Sequence, residues 1–141
     1  MSPNQIFSLV NLIALAAWLL LAIVPRRRIT AVVAGTAVPV LMAMVYTAIL
    51  LIMWRGSEGG FSSLADVLLL FGHPWLLLAG WTHYLAFDLL IGNWEVRDAQ
   101  ERGIPHLLVL PCLALTFLFG PAGWLLYRAV RIGHGAGRTQ N

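Results

Sequence analysis

Residues 6–24 and 29–53 hold no charged residue, and each run is long enough to cross a bilayer. A spanning helix needs about 20 consecutive apolar residues. Two further apolar runs follow at 75–93 and 106–127. Water is a poor solvent for such a chain. Charged residues make up 11% of it, and hydrophobic ones 60%, against roughly a quarter charged in a soluble domain. The expected fold is all-α: a polytopic membrane protein of about four transmembrane helices in one bundle. One domain over residues 1–131 is expected, with spans at 6–24, 29–53, 75–93 and 106–127 and a disordered polar tail at 132–141.

The breaks between runs are chemically distinct. Pro25, Arg26, Arg27 and Arg28 end the first span at a membrane surface. Pro39 lies inside the second, where a missing backbone donor predicts a kink. The stretch 64–71 is apolar but too short to span, and Ser63 is placed to cap it. Gly103 and Pro105 end the third helix, which is expected to run on to Arg102. Pro111 and Pro121 fall inside the fourth. The basic residues are all arginine, and they lie at the ends of apolar runs. That placement favours the lipid bilayer and its anionic headgroups as partner and excludes nucleic acid. Arg26, Arg27, Arg28, Arg97 and Arg102 fall in the first and third connections. Arg55, Arg128, Arg131 and Arg138 fall on the other side of a four-span bundle, which leans both termini outward. The single cysteine, Cys112, permits neither a disulfide nor a thiolate metal cage. The first positive charge follows the first apolar run, so that run does not resemble a signal peptide.

The third run carries the chemistry. It contains His83 and Asp88, ionisable groups at bilayer depth, where each costs about 2.5–3.5 kcal/mol on insertion scales. Five residues apart on a helix, they point about 140° away from one another. Asp88 shares its face with Trp81, Tyr84 and Glu95. Beyond it Glu95, Asp98 and Glu101 recur every three residues, and a tight turn leads to His106. Asp88, Glu95, Asp98 and His106 could converge at one membrane face, a set suited to iron or manganese and equally to acid–base work. The plainer alternatives stay open: i,i+4 ion pairs at a solvated helix end for Arg97, Asp98, Glu101 and Arg102, a helix-capping role for His106, and a structural hydrogen bond for Asp88. Gly120 and Pro121 bring small, donor-poor backbone to bilayer depth, where it is tolerated beside a cavity or packed protein. No phosphate loop, HExxH or nucleophile elbow is present. No cofactor is specified.

Gly80-Trp81-Thr82-His83-Tyr84-Leu85-Ala86-Phe87-Asp88-Leu89, then Gly92, Trp94, Asp98, Gly103-Ile104-Pro105-His106, Pro111-Cys112-Leu113, Thr116-Phe117 and Gly120-Pro121-Ala122-Gly123 resemble the ABA4-like membrane protein family. The resemblance is close over residues 71–131, and over the first two spans it extends to hydropathy and length. It implies a four-helix membrane fold. Plant members are required for making neoxanthin from violaxanthin in chloroplast membranes, which opens an epoxide and forms an allene without net redox change. The resemblance therefore implies an isomerase-type enzyme acting on a carotenoid or related isoprenoid. Such chemistry needs an acid and a base. Asp88, His83, His106 and Asp98 are the catalytic candidates, and Trp81, Tyr84, Gly120 and Pro121 the substrate-binding ones. The alternative is a noncatalytic pigment- or lipid-binding subunit of a membrane complex, which would add a protein partner. The chain starts at Met1 without a plastid transit sequence, and with its all-arginine basic set the expected location is a bacterial inner membrane.

Overall fold

The computed structural model describes residues 1–138, all of whose regular elements are helical. Helix α1 (Pro3–Ile23) begins at a capping box. The Ser2 hydroxyl accepts the Gln5 N–H, and the Gln5 side chain accepts the Ser2 N–H at 2.8 Å. Its inward stripe is Val10, Ala14, Ala17, Trp18 and Leu21, spaced by three and four. The outward stripe, including Leu12, Leu15 and Leu19, is equally apolar and exposed. A helix apolar all round, exposed on one side, is solvated by lipid.

The second run forms α2 (Arg28–Val32), a π turn (Val33–Ala37) and α3 (Val38–Met53) in continuous succession. The expected deviation at Pro39 is absorbed one turn earlier. Proline cannot donate to the carbonyl four residues back, that of Gly35, and the widened π turn surrounds that residue. Gly35 packs so closely on α5 that a Cβ there would stand 2.7 Å from Asn93 Nδ2. A short helix, α4 (Leu64–Gly72), is capped by Ser63, whose hydroxyl accepts the Asp66 N–H at 3.1 Å.

Helix α5 (Pro74–Arg102) is the axis of the molecule, and α1, α3, α4 and α6 pack on it. Its 29 residues span about 43 Å, more than a hydrocarbon core of roughly 30 Å. Asp88 is its midpoint, about 21 Å from either end. Gly103, at φ +66°, closes the helix, and the Ile104 N–H returns to the Ala99 carbonyl at 2.8 Å.

The fourth run departs from the expected single span over 106–127. Helix α6 (His106–Phe119) is 14 residues long and ends at Gly120, whose φ of +43° and ψ of −94° suit a residue without Cβ. Helix α7 (Pro121–Arg138) then turns back beside α6. A Cβ on Gly123 would collide with the backbone nitrogen and hydroxyl of Thr116. Phe117 and Leu118 lie at the level of Tyr84, and Tyr127 at the level of Asp98. Helices α6 and α7 therefore form a hairpin that enters from the Arg102 end of α5, reaches its midpoint and returns. The physical cause is sequence-local: Pro121 removes a backbone donor, Gly120 takes a backbone conformation that suits glycine, and the missing Cβ atoms at 120 and 123 let the two arms meet.

Three helical segments, Pro3–Ile23, Arg28–Gly56 and Pro74–Arg102, are long and apolar enough to cross a membrane, while His106–Phe119 is apolar and shorter. The molecule is an all-α membrane bundle of three such segments and a hairpin. This geometry revises the expected side for the chain's end. Residue 3 lies beside Pro74, at one end of α5. Residues 131–135 lie beside Glu101 and Arg102, at the other. The expected tail at 132–141 is also helical as far as Arg138, since glycines at 133 and 135 weaken a helix without proline's block. Residues 139–141 lie outside the described residues.

Candidate active site at the hairpin tip

The face of α5 that carries Tyr84, Asp88, Glu95 and Asp98 is turned to the hairpin. Three tiers result. At the base, Asp98 is fully engaged. The Tyr127 hydroxyl donates to Oδ2 at 2.6 Å, Arg102 Nε lies 2.9 Å from both oxygens, and Arg131 Nε is 3.6 Å from Oδ2. In the middle, Glu95 is wholly buried, and Thr116 of α6 donates to it, 3.0 and 3.2 Å from its two oxygens. At the tip, the Tyr84 hydroxyl donates to the Leu118 carbonyl at 3.1 Å, with that of Phe117 at 3.4 Å. Both carbonyls need such a donor. Pro121 has no N–H to offer Phe117, and α6 ends before Leu118 finds its own.

Asp88 differs from the other two carboxylates. Its Oδ2 is buried and has no hydrogen-bond partner. Its Oδ1 faces Gly120, where a Cβ would stand 2.7 Å away. An open cleft of about 320 Å³, lined by Asp88, Ile91, Gly120, Pro121 and Trp124, leads from it to the lipid-facing surface. The Tyr84 hydroxyl is the carboxyl's one side-chain partner, and an oxygen left without a donor at mid-bilayer depth is costly, so beside the cleft Oδ2 is free to accept from a bound group.

The other expected site residues fall elsewhere. His83 is on a different face, with its ring against Tyr46 at 5.7 Å and Phe87 at 4.6 Å between centroids. His106 Nε2 is 2.9 Å from the Ala22 carbonyl, so it ties α6 to the end of α1. It stands at the hairpin's base, about 20 Å from the tip by helix rise. The expected convergence of Asp88, Glu95, Asp98 and His106 on a metal does not occur. Among the described residues no group of three or more His, Cys, Asp or Glu side chains is placed to hold one. Two turns of helix separate Asp88 from Glu95, and each lower carboxylate has its own donor. Trp81 donates through Nε1 to Asn11 Oδ1 at 3.2 Å and lines a different cleft, with Phe7 and Pro74. Gly120 and Pro121 do line the Asp88 cleft, and Tyr84 holds its rim. Sequence reasoning missed Trp124 as a cleft wall and Tyr127 as the partner of Asp98. The signal was the Gly-Pro at 120 and 121, which implies a reversal once read as a turn.

A family model described as ABA DEFICIENT 4-like matches residues 5–127. The match takes in the first two spans, beyond the motif-bearing half. No curated protein and no solved structure matches the chain. With its long apolar helices and a family match over most of its length, this membrane protein belongs to the ABA4-like family.

Proposed function

We propose that the chain is a membrane enzyme that isomerises a carotenoid or related oxygenated isoprenoid, with Asp88 as its acid and base. The observation that carries this reading is the unpartnered Asp88 oxygen at the midpoint of α5, beside a cleft open to lipid. A substrate of this class is dissolved in the bilayer and reaches such a cleft laterally. At about 320 Å³ the cleft is at the small end of ligand pockets. It suits one oxygenated end ring, with the polyene left in lipid and Trp124 against the ring face.

One carboxyl suffices for a redox-neutral isomerisation. The acid form of Asp88 gives its proton to the epoxide oxygen as the carbon–oxygen bond breaks. The carboxylate so formed removes a proton from carbon as the new double bond forms. The proton count closes, the epoxide becomes a hydroxyl, and Asp88 is regenerated. Tyr84 acts as a positioning residue, since its hydroxyl holds the hairpin tip that shapes the cleft. His83 and His106, turned away and distant, take no part. Asp98 serves as the hairpin's anchor.

The open shape of the cleft also suits a noncatalytic pigment-binding subunit. Expression in a host that accumulates violaxanthin separates the readings. Chromatography of extracted pigments should show an isomer absent from the empty host. Violaxanthin that copurifies with the protein, unconverted, would favour the binding subunit.

A further inference from the structure

His83 was left aside by the Asp88 site, and its surroundings carry a second one. On the opposite side of α5 lies a cleft of about 290 Å³ between α3, α4 and α5, whose walls include Tyr46, Trp54, Phe61 and Phe71. His83, itself exposed on the face of α5, lines it too. It merges, through Tyr46, Leu50, Trp54 and Phe61, with an outer lobe of about 330 Å³ that reaches Arg55. The Trp54 and Phe61 rings stack at 5.7 Å.

Two polar groups interrupt this aromatic lining. The Tyr46 and His83 rings are 5.7 Å apart, and among the described residues neither side chain has a hydrogen-bond partner within the protein. His83 lies about 13 Å along α5 from Pro74, below the headgroups. A polar group at that depth without a partner is expensive. Two such groups converging in an otherwise apolar cleft are the usual pattern of a ligand site.

We propose that this cleft binds the ring of a membrane quinone. Four observations select that class. The aromatic walls favour a flat ring. The volume holds one substituted ring and not a whole polyene. The depth excludes phospholipid headgroups, which stay at the interface, and admits a ring that enters the hydrocarbon. Tyr46 and His83 each offer a hydrogen to a ring carbonyl, and a quinone brings two such acceptors and no donor. The isoprenoid tail leaves through the lipid-facing side of the cleft.

The test is binding, independent of any isomerase activity. Decyl-benzoquinone is titrated into the full chain in detergent, and quenching of tryptophan fluorescence is followed, Trp54 being in the wall. Saturable quenching is expected. Tyr46→Phe and His83→Leu should each raise Kd roughly three- to tenfold, the loss of one hydrogen bond. Decylbenzene, with the same tail and a ring without oxygen, should compete at least about tenfold less well, since it forfeits both bonds. Quenching that does not saturate, or a Kd unchanged in both variants, would overturn the proposal. So would equal competition by decylbenzene, which would make the cleft a mere apolar surface. Tyr46→Phe deletes a single oxygen, so it keeps the test decisive if His83→Leu fails to fold.

Discussion

Gly120 and Asp88 face each other across so small a gap that a methyl group on Gly120 would stand 2.7 Å from Asp88 Oδ1. The hairpin tip and the midpoint carboxylate are therefore one construction. Gly120→Ala adds strain at a positive φ, on the order of 1–3 kcal/mol, and pushes into the carboxylate. The variant should melt lower than wild type in detergent and form no isomer even where it accumulates in membranes. Wild-type conversion by this variant would show that the tip can move away from Asp88 without consequence.

The base of the hairpin is held by Tyr127 and Asp98. Tyr127→Phe removes the donor 2.6 Å from Asp98 Oδ2 and should cost about 1–3 kcal/mol. Arg102 and Arg131 remain beside the carboxylate, so insertion should survive. Thermal unfolding in detergent, with unfolding midpoints compared, checks this. An unchanged midpoint would mean the arginines alone anchor the hairpin.

Glu95 depends on Thr116. Thr116→Val keeps the shape and deletes the hydroxyl, leaving a fully buried carboxyl group without its donor, again at about 1–3 kcal/mol. Thr116→Ser should restore most of the loss. Equal stability of the valine and serine variants would contradict a hydrogen-bonding role.

The hairpin also re-sorts the charges. Arg26, Arg27, Arg28, Arg97, Arg102, Arg128 and Arg131 fall toward the end of α5 that bears Arg102, and among the described side chains Arg55 is the one arginine toward the other. The positive-inside rule then directs the Arg102 end to the cytoplasm. In a Cys112→Ala background, an impermeant maleimide should label Glu58→Cys in intact bacterial cells, and Gly133→Cys only after permeabilisation. Equal labelling of both in intact cells would place residues 58 and 133 on one face and require a straight fourth span.

The legible part of this molecule was what lipid imposes. Apolar length marked the helices, Ser63 and Gly103 marked their ends, and the cost of an ionisable group at bilayer depth singled out Asp88. The helical period alone also separates His83 from Asp88. Tertiary facts were less accessible. The run 106–127 has the hydropathy of a span, and only backbone conformation at Gly120 distinguishes a kink from a reversal. The pairing of Asp98 with Tyr127 and the tie from His106 to Ala22 follow from that reversal, so no local pattern announced them. The motif from Gly80 to Gly123 includes the residues by which α5 and the hairpin meet, Tyr84, Asp88, Asp98, Thr116 and Gly120.

The central claim is that Asp88 performs the isomerisation, and the pigment profile of its variants tests it most directly. Wild type, Asp88→Asn and Asp88→Glu are expressed at matched membrane levels in a violaxanthin-accumulating host, and the isomers are resolved by chromatography. Asp88→Asn keeps the size and loses the proton, so it should yield no isomer. Asp88→Glu keeps the proton and shifts it by about one carbon–carbon bond, so it should yield a small residue of activity. Wild-type amounts of isomer from Asp88→Asn would contradict the account.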